Sequence, residues 1–430
     1  MTSHLSLASA PLAGVRVLDY AQYVAGPFAT MLLADLGADV VKVEPPRGDA
    51  WRHYQPLTAD GGTWFYALNR NKRSVVADLK TAEGRALSSR LIASADVVVH
   101  NMPPKRALAF GLDRRSVGEI NPRAVWTCVS AFGSDGPMAD ALGYDLIAQA
   151  ASGLLLADAR PGDPVPRRSG GIAIADITAG LLTAIAALAG LADSARHPAS
   201  GTHATARGLE VSLLGASLAV QVQRLVEVEH SANKSPAPPD TAAGGHGVSS
   251  QELADLAARQ ERSDEMEPYY RCYRAADGFL ALACLNMRQR VQVQQVLDVP
   301  DPWADNPQAM PADDTERRQR AALKERFAAV IATRPVHWWL REFGARDVPC
   351  GTVHAVEELH RVEQAHANGL IQRVEQPDVG TVSLLGTLFK VDGRAAPNAR
   401  PAPRLGEHTD ELRAELATPA DAQDQDHGPS

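Results

Sequence analysis

Residues 14–43 read GVRVLDYAQYVAGPFATMLLADLGADVVKV. Gly14–Tyr20 is a short buried strand, because β-branched and apolar residues cluster there and small residues follow. Pro27 opens a helical pattern, with Phe28, Met31, Leu32, Leu33 and Leu36 recurring at helical spacing and Gly37 as the stop. Ala38–Val43 is a second strand. A strand, a helix and a strand at these lengths imply a right-handed crossover between parallel strands.

The alternation continues outward from this unit. Ser74–Leu79, Asp96–His100 and Ala124–Val129 are strand-like, and Ala82–Ala93 is helical. The economical reading is an α/β fold with a Rossmann-like, doubly wound large domain. Ile174–Leu191 is an Ala/Leu-rich helix whose apolar residues run round most of its circumference, which predicts central burial. Leu209–Val228 is a further helix or strand-helix unit. Around Ser231 the composition turns to Pro, Gly, Ala and Ser, then to a charged stretch ending at Glu267, which reads as a linker. YYRCYRAADGFLALACL, from Tyr269, holds two alternating runs meeting at Asp277-Gly278 and predicts a hairpin. The expected organisation is a large domain over 1–228, a linker over 229–267, and a smaller α+β domain over 268–362. A C-terminal segment over 363–416 returns toward the large domain, and the polar residues 417–430 form a disordered tail.

The 430-residue chain is 45% hydrophobic and 22% charged, which excludes collagenous, disordered and disulfide-scaffold classes. Apolar stretches such as Gly180–Leu191 fall short of the ~20 residues a membrane span needs. With a net charge of −8, nothing global favours nucleic acid. The four cysteines have no CxxC spacing, so no metal cage is expected, and a reducing cytoplasm fits. Met1–Leu12 lacks the pattern of a secretory leader.

The turn after the first strand, DYAQYVAGP, holds Gly26 alone and lacks the GxGxxG of dinucleotide binding. No P-loop, GxSxG elbow or HExxH pair occurs. Basic residues gather in loops after strands: Arg47 and Arg52, then Arg70, Lys72 and Arg73, with Lys105 and Arg106 beyond. They are solvated loop residues or, as a set, a holder of phosphates. Asp176 begins the long apolar helix without a charged neighbour. It is either a helix N-cap or a carboxylate that the helix terminus keeps ionised and aimed at substrate, and an ionised carboxylate is a nucleophile needing no separate base. Gly170 and Gly171 would allow close approach. Cys350 reads as a small buried hydrophobe.

Taken together, the blocks PLAGVRVLDYAQYVAGPFATMLLADLGADVVKVEPPRGD, NRNKRSVVADLK, GYDLIAQAASGL, GGIAIADITAGLLTAIAALAGL, YRCYRAADGFLALAC, VPCGTV and PRLGEHTDEL resemble the family III CoA-transferases, over Pro11–Leu416. That family includes formyl-CoA transferase, carnitine CoA-transferase and alpha-methylacyl-CoA racemase. The resemblance implies an acyl-CoA:carboxylate CoA-transferase with Asp176 as nucleophile, working through aspartyl anhydride and aspartyl-CoA thioester intermediates. Its substrates would be an acyl-CoA and a carboxylic acid, with coenzyme A as substrate and no tightly bound cofactor or metal. It also implies an interlocked, ring-shaped homodimer. Val24, Ala25, Asn69, Arg70, Asn71, Lys72, Asn101, Met102 and Tyr144 would line the CoA site. Pro45 and Ala109 stand where formyl-CoA transferase carries arginines, so Arg47 and Arg106 are expected to take the phosphates. Gly244–Gly247 is a candidate lid or a plain linker. Racemase relatives carry a histidine before the aspartate matching Asp145, and a tyrosine such as Tyr144, with an ordinary pKa near 10, is a poor base there. Racemase or isomerase activity, and a CoA-binding protein without turnover, are the alternatives.

Overall fold

In the computed structural model, residues 9–157, 159–160, 162–197, 206–225, 249–265, 268–305, 312–395 and 400–417 are described. Two units divide the chain. The first comprises Met1–Leu155, Arg168–Asn233 and Val362–Ser430, and the second Leu156–Arg167 and Lys234–Arg361.

Six parallel strands carry the first unit: β1 (Arg16–Asp19), β2 (Asp39–Glu44), β3 (Arg73–Val76), β4 (Val97–His100), β5 (Val125–Ser130) and β6 (Arg207–Ser212). Their order is β3-β2-β1-β4-β5-β6, the doubly wound arrangement, with the reversal between β1 and β4. Successive side chains alternate between two cores. Val17, Val40, Val97, Val99 and Val125 face one, and Leu18, Val41, Val98 and Trp126 face the other. Strands covered on both faces read as continuous valine runs, which is why they were legible in the sequence.

On the first face lie α1 (Ala25–Asp35) and, later in the chain, a long helix. Between them come α2 (Thr63–Asn69), α3 (Ala82–Ala93), α4 (Pro104–Ala109), α5 (Arg114–Ile120) and α6 (Asp145–Ala151). The long helix is α7 (Ile174–Arg196), and α8 (Leu213–Ala219) follows β6. Expected to be buried centrally, α7 buries one face of small residues: Ala175, Ala179, Gly180, Thr183, Ala184, Ala187 and Gly190. On its other side Leu181 is 40% and Ile185 60% exposed. At 23 residues, with a mean hydropathy of 1.9 over its most apolar 18, it is long and apolar enough to cross a membrane by length and composition, contrary to the shorter stretch read from the sequence. Its small-residue face instead packs on α1 and the sheet. A Cβ at Gly180 would meet the Ala25 carbonyl at 2.8 Å, so glycine sets that approach.

The second unit contains the expected hairpin, β7 (Tyr270–Arg274) with β8 (Phe279–Ala283), and β9 (Cys350–Thr352) adds antiparallel to β8. Helices α10 (Met287–Leu297), α11 (Asp314–Ile331) and α12 (Val336–Gly344) complete its core around Phe327, Trp339 and Phe343. Before them, α9 (Ser250–Glu265) occupies most of the described part of the expected linker. Its charged composition hid it, but Leu253 and Ala257 bury against Ala159 of the same unit. The remainder of that linker, the Gly244–Gly247 stretch and the tail beyond 417 lie outside the described residues.

From Val362 the chain belongs to the first unit again, with α13 (Glu363–Ala367), the hairpin β10 (Ile371–Gln376) and β11 (Gly380–Leu385), and α14 (Thr409–Glu415). The α14 region fastens to the first strands. His408 donates its N–H to the Ser74 carbonyl at 2.9 Å, Leu412 is buried in the core, and Glu415 pairs with Arg16 at 2.8 Å and Arg73 at 2.5 Å.

Candidate active site

A buried ionic network underlies the carboxyl ends of β1 and β2 and is joined by Lys72, just before β3. Lys72 Nζ reaches Asp19 Oδ2 at 2.9 Å, the Pro27 carbonyl at 2.8 Å and Asn69 Oδ1 at 2.8 Å. Lys42 Nζ reaches Asp49 at 2.8 Å and the Ala21 carbonyl at 2.9 Å. Burial works against charge on Asp19, but Lys42 and Lys72 outweigh it and hold its carboxyl below the usual range. Burial pulls Lys72 down to about 8, against the opposing attraction of Asp19. Arg70 Nη2 is paired with Asp35 at 2.5 Å, and Asn71 Nδ2 donates to the same carboxylate at 2.8 Å.

The network anchors the β1–α1 turn. Asp19 accepts from the Ala21 N–H at 3.0 Å, and Asn101 brackets Gln22, accepting from its N–H at 3.0 Å and donating to its carbonyl at 2.7 Å. The turn therefore spans the gap between β1 and β4, the point where the strand order reverses and open α/β sheets bind ligands. Tyr23 adopts a left-handed backbone there, with φ 69°. Its ring meets Tyr144 edge-on at 5.6 Å and Trp51 at 5.7 Å. The Tyr144 hydrogen bond, with burial, raises the Tyr23 hydroxyl above its ordinary value.

A cavity of about 300 Å³ opens at this turn, lined by Tyr20, Gln22, Tyr23, Ala25, Asn101, Met102, Arg106, Tyr144 and Asp176 together with Ser130 and mostly apolar residues. Of the residues expected from sequence, it brings together Ala25, Asn101, Met102, Arg106, Tyr144 and Asp176. Others lie elsewhere. Val24 is buried in the core beside α1. Asn69, Arg70, Asn71 and Lys72 are buried outside the cavity lining, where Asn69 donates to the Phe65 carbonyl, Arg70 and Asn71 pair with Asp35, and Lys72 pairs with Asp19. Arg47 is exposed, on a loop away from the cavity lining. Arg106 is the cation that lines the cavity; its guanidinium lies 5.5 Å from the Phe110 ring.

Asp176 sits in the first turn of α7, half-buried against the cavity. It is not the N-cap. Ala173 occupies that position and has no capping side chain. Asp145, the first residue of α6, supplies the cap from 31 residues away: its Oδ1 accepts the N–H groups of Ala175 at 2.9 Å and Asp176 at 3.3 Å. No hydrogen bond to the Asp176 carboxylate is present among the described residues. Burial, and next the Asp145 carboxylate, push the Asp176 carboxyl up to about 7. This corrects the expectation of a carboxylate kept fully ionised by its helix, because desolvation and a like charge exceed what the helix terminus supplies. Gln22, Tyr23 and Asp145 were not singled out in the sequence. The strand-to-helix turn at the order reversal marks the first two, while the Asp145 contact spans a distance no local pattern carries.

Chemically, the cavity offers one carboxylate poised near neutrality, an exposed guanidinium and an apolar, aromatic wall. The chain matches the description "CoA-transferase family III" over residues 12–409. It is 32% identical over 423 residues to the succinate–glutarate CoA-transferase of Agrobacterium fabrum, covering 95% of this chain and 96% of that one. Against the succinyl-CoA:glutarate CoA-transferase of Homo sapiens it is 30% identical over 412 residues, covering 94% and 86%. A CAIB/BAIF family protein from Brucella suis, known by its crystal structure, superposes with a TM-score of 0.70 at 29% identity, covering 95% of this chain and 99% of that one. A doubly wound sheet, a cavity at its switch point and a match running nearly end to end place this chain in CoA-transferase family III.

Proposed function

We propose that this protein moves coenzyme A from an acyl-CoA to a carboxylic acid, with Asp176 as the covalent nucleophile. One observation carries the reading: a carboxylate without a hydrogen-bond partner among the described residues faces the cavity from the first turn of a buried helix. An oxygen of Asp176 attacks the thioester carbonyl, the C–O bond forms, the C–S bond breaks, and CoA leaves as thiolate. The thiolate then attacks the aspartyl carbonyl of the mixed anhydride, releasing the first acid as its carboxylate and leaving an aspartyl-CoA thioester. The acceptor carboxylate repeats the sequence in reverse and restores Asp176. No net proton is consumed, and the activated bond is exchanged rather than hydrolysed, so the apolar wall serves by excluding water.

Ala25, Met102, Arg106 and Tyr144 hold the reacting end of the acyl-CoA, with Arg106 as the anion contact. Asn101 acts indirectly, by holding the Gln22 turn. The working form is an interlocked homodimer, a reading supported by the exposed Leu181 and Ile185 on the outer side of α7. The four cysteines form no disulfide, which favours a reducing, cytoplasmic setting.

Mass spectrometry of wild type and Asp176→Ala, each incubated with succinyl-CoA and glutarate, oxalate or a wider acid panel, tests the assignment. Wild type is expected to transfer CoA and to carry a covalent adduct, and the variant neither. Transfer by Asp176→Ala overturns the nucleophile, and solvent deuterium at the α-carbon without an acceptor overturns transfer in favour of isomerisation.

A further inference from the structure

Helix α7 begins without a cap of its own. The segment GGIAIAD offers no Ser, Thr, Asp or Asn at the N-cap, and Asp176 stands in the first turn, where an acidic side chain ordinarily folds back to satisfy free backbone N–H groups. Those groups are already taken. Asp145 Oδ1 accepts the N–H of Ala175 and of Asp176 itself, while Oδ2 accepts from Gln149 Nε2 at 2.7 Å. Gln149 Oε1 in turn accepts the Ser169 N–H at 3.0 Å, tying the segment that enters α7 to the same carboxylate. Asp145 and Gln149 are both buried, 6% and 0% exposed, so water cannot substitute for these bonds. Gly143, just before, is fixed by close approach: a Cβ there would meet the Ala131 side chain at 2.8 Å.

We propose that Asp145 is the positioning residue of the nucleophile: its carboxylate caps α7 from another helix, frees the Asp176 side chain for attack and sets the charge environment in which it works. This rests on Asp176 being the nucleophile. Two consequences oppose each other. Capping in trans fixes the backbone of the attacking residue, which favours reaction by orientation. The nearby like charge holds a proton on Asp176 toward neutrality, which withholds the nucleophile below pH 7.

The other charged groups on the elements packed about α7 do not replace Asp145 in this role. On α1, Asp35 is paired with Arg70. From β6, Arg207 is engaged with Asp193 near the far end of α7, and Glu210 lies on the same strand. Within α6 Asp145 is the one titratable residue, and α8 has none. Tyr20, Tyr23, Tyr144 and Arg106 line the cavity. Arg168 precedes the turn and donates to the Gly171 carbonyl.

The test uses the full chain, labelled with carboxyl-¹³C aspartate, with the Asp176 resonance identified by its loss in Asp176→Asn. In wild type it is expected to titrate near pH 7. Asp145→Asn keeps the Oδ1 acceptor, loses the charge and gives up the Gln149 bond; its midpoint is expected to move down by about one unit, with kcat at pH 8.5 within about threefold of wild type because orientation is kept. Gln149→Leu removes the same Gln149 bond without touching the charge, and its midpoint is expected to stay. Asp145→Ala loses the cap, and kcat is expected to fall by about tenfold or more at every pH. An unmoved midpoint in Asp145→Asn, or an equal shift in Gln149→Leu, overturns the proposal. If Asp176→Ala retains transfer, the nucleophile reading fails by itself, while the titration still reports the coupling of the two aspartates.

Discussion

With its pKa pushed up to about 7 rather than near 4, Asp176, the proposed nucleophile, is about half ionised at neutral pH in the free protein. Attack needs the carboxylate, so kcat/KM should rise with pH along a limb of apparent pKa near 7 and level off above it. A pH–rate profile checks this, and a limb near 4 would sink it. Stability moves the other way. Because the folded-state value lies above the unfolded one, the group favours the fold at low pH, and that contribution is lost as pH rises through about 7. Asp176→Asn should therefore melt higher than wild type at pH 8.5, with the gap closing toward pH 3.5. Lys72 makes the contrasting case. Read from sequence as a solvated loop residue or part of a phosphate holder, it is a partner of buried Asp19, and Lys72→Met should lower stability by about 3–5 kcal/mol in urea unfolding by leaving that carboxylate short of a cation. Asp176 was legible because an acidic residue isolated before an apolar helix stands out in one dimension. Lys72 and Asn69 carried the same polar signature as ligands, and only burial separates the two roles.

At the scale of elements, the valine-rich strands were readable because burial on both faces leaves an unbroken apolar run, whereas α9 was not, its two buried residues being lost among charges. The helix α7 was readable in position but not in environment: alanine counts as apolar whether it packs or faces outward, so its one-sided burial against α1 depended on knowing the neighbour. Gly180 fixes that neighbour's distance. Replacing it with alanine gains about 0.5–1 kcal/mol in helix propensity but drives a methyl to 2.8 Å from the Ala25 carbonyl and 2.9 Å from the Phe28 ring. Overpacking of about 1–3 kcal/mol should win, giving a net loss in denaturant midpoint with an unchanged slope.

For the molecule as a whole, the doubly wound class followed from the order of strands and helices, while one part of the division into units did not. The second unit takes in Leu156–Arg167 as well as Lys234–Arg361, a grouping set by contacts rather than by composition. The proposed dimer belongs at this scale as well. Ile185, 60% exposed on a helix otherwise packed by small residues, should lie in its interface, so Ile185→Asp should sediment as a monomer and lose transfer activity where wild type sediments as a dimer.

The bond between Arg16 and Glu415 joins residues 399 positions apart, and Leu412 fills the same core as Leu18 and Val98. On the ribosome, at about 5–20 residues per second, β1 therefore waits roughly 20–80 s for the helix that covers it. Throughout that interval an apolar patch on the nascent sheet stands open. The chain is thus a natural client for chaperones during synthesis, and a polypeptide ending before Leu412 would keep Asp176 yet lack a side chain that fills this core.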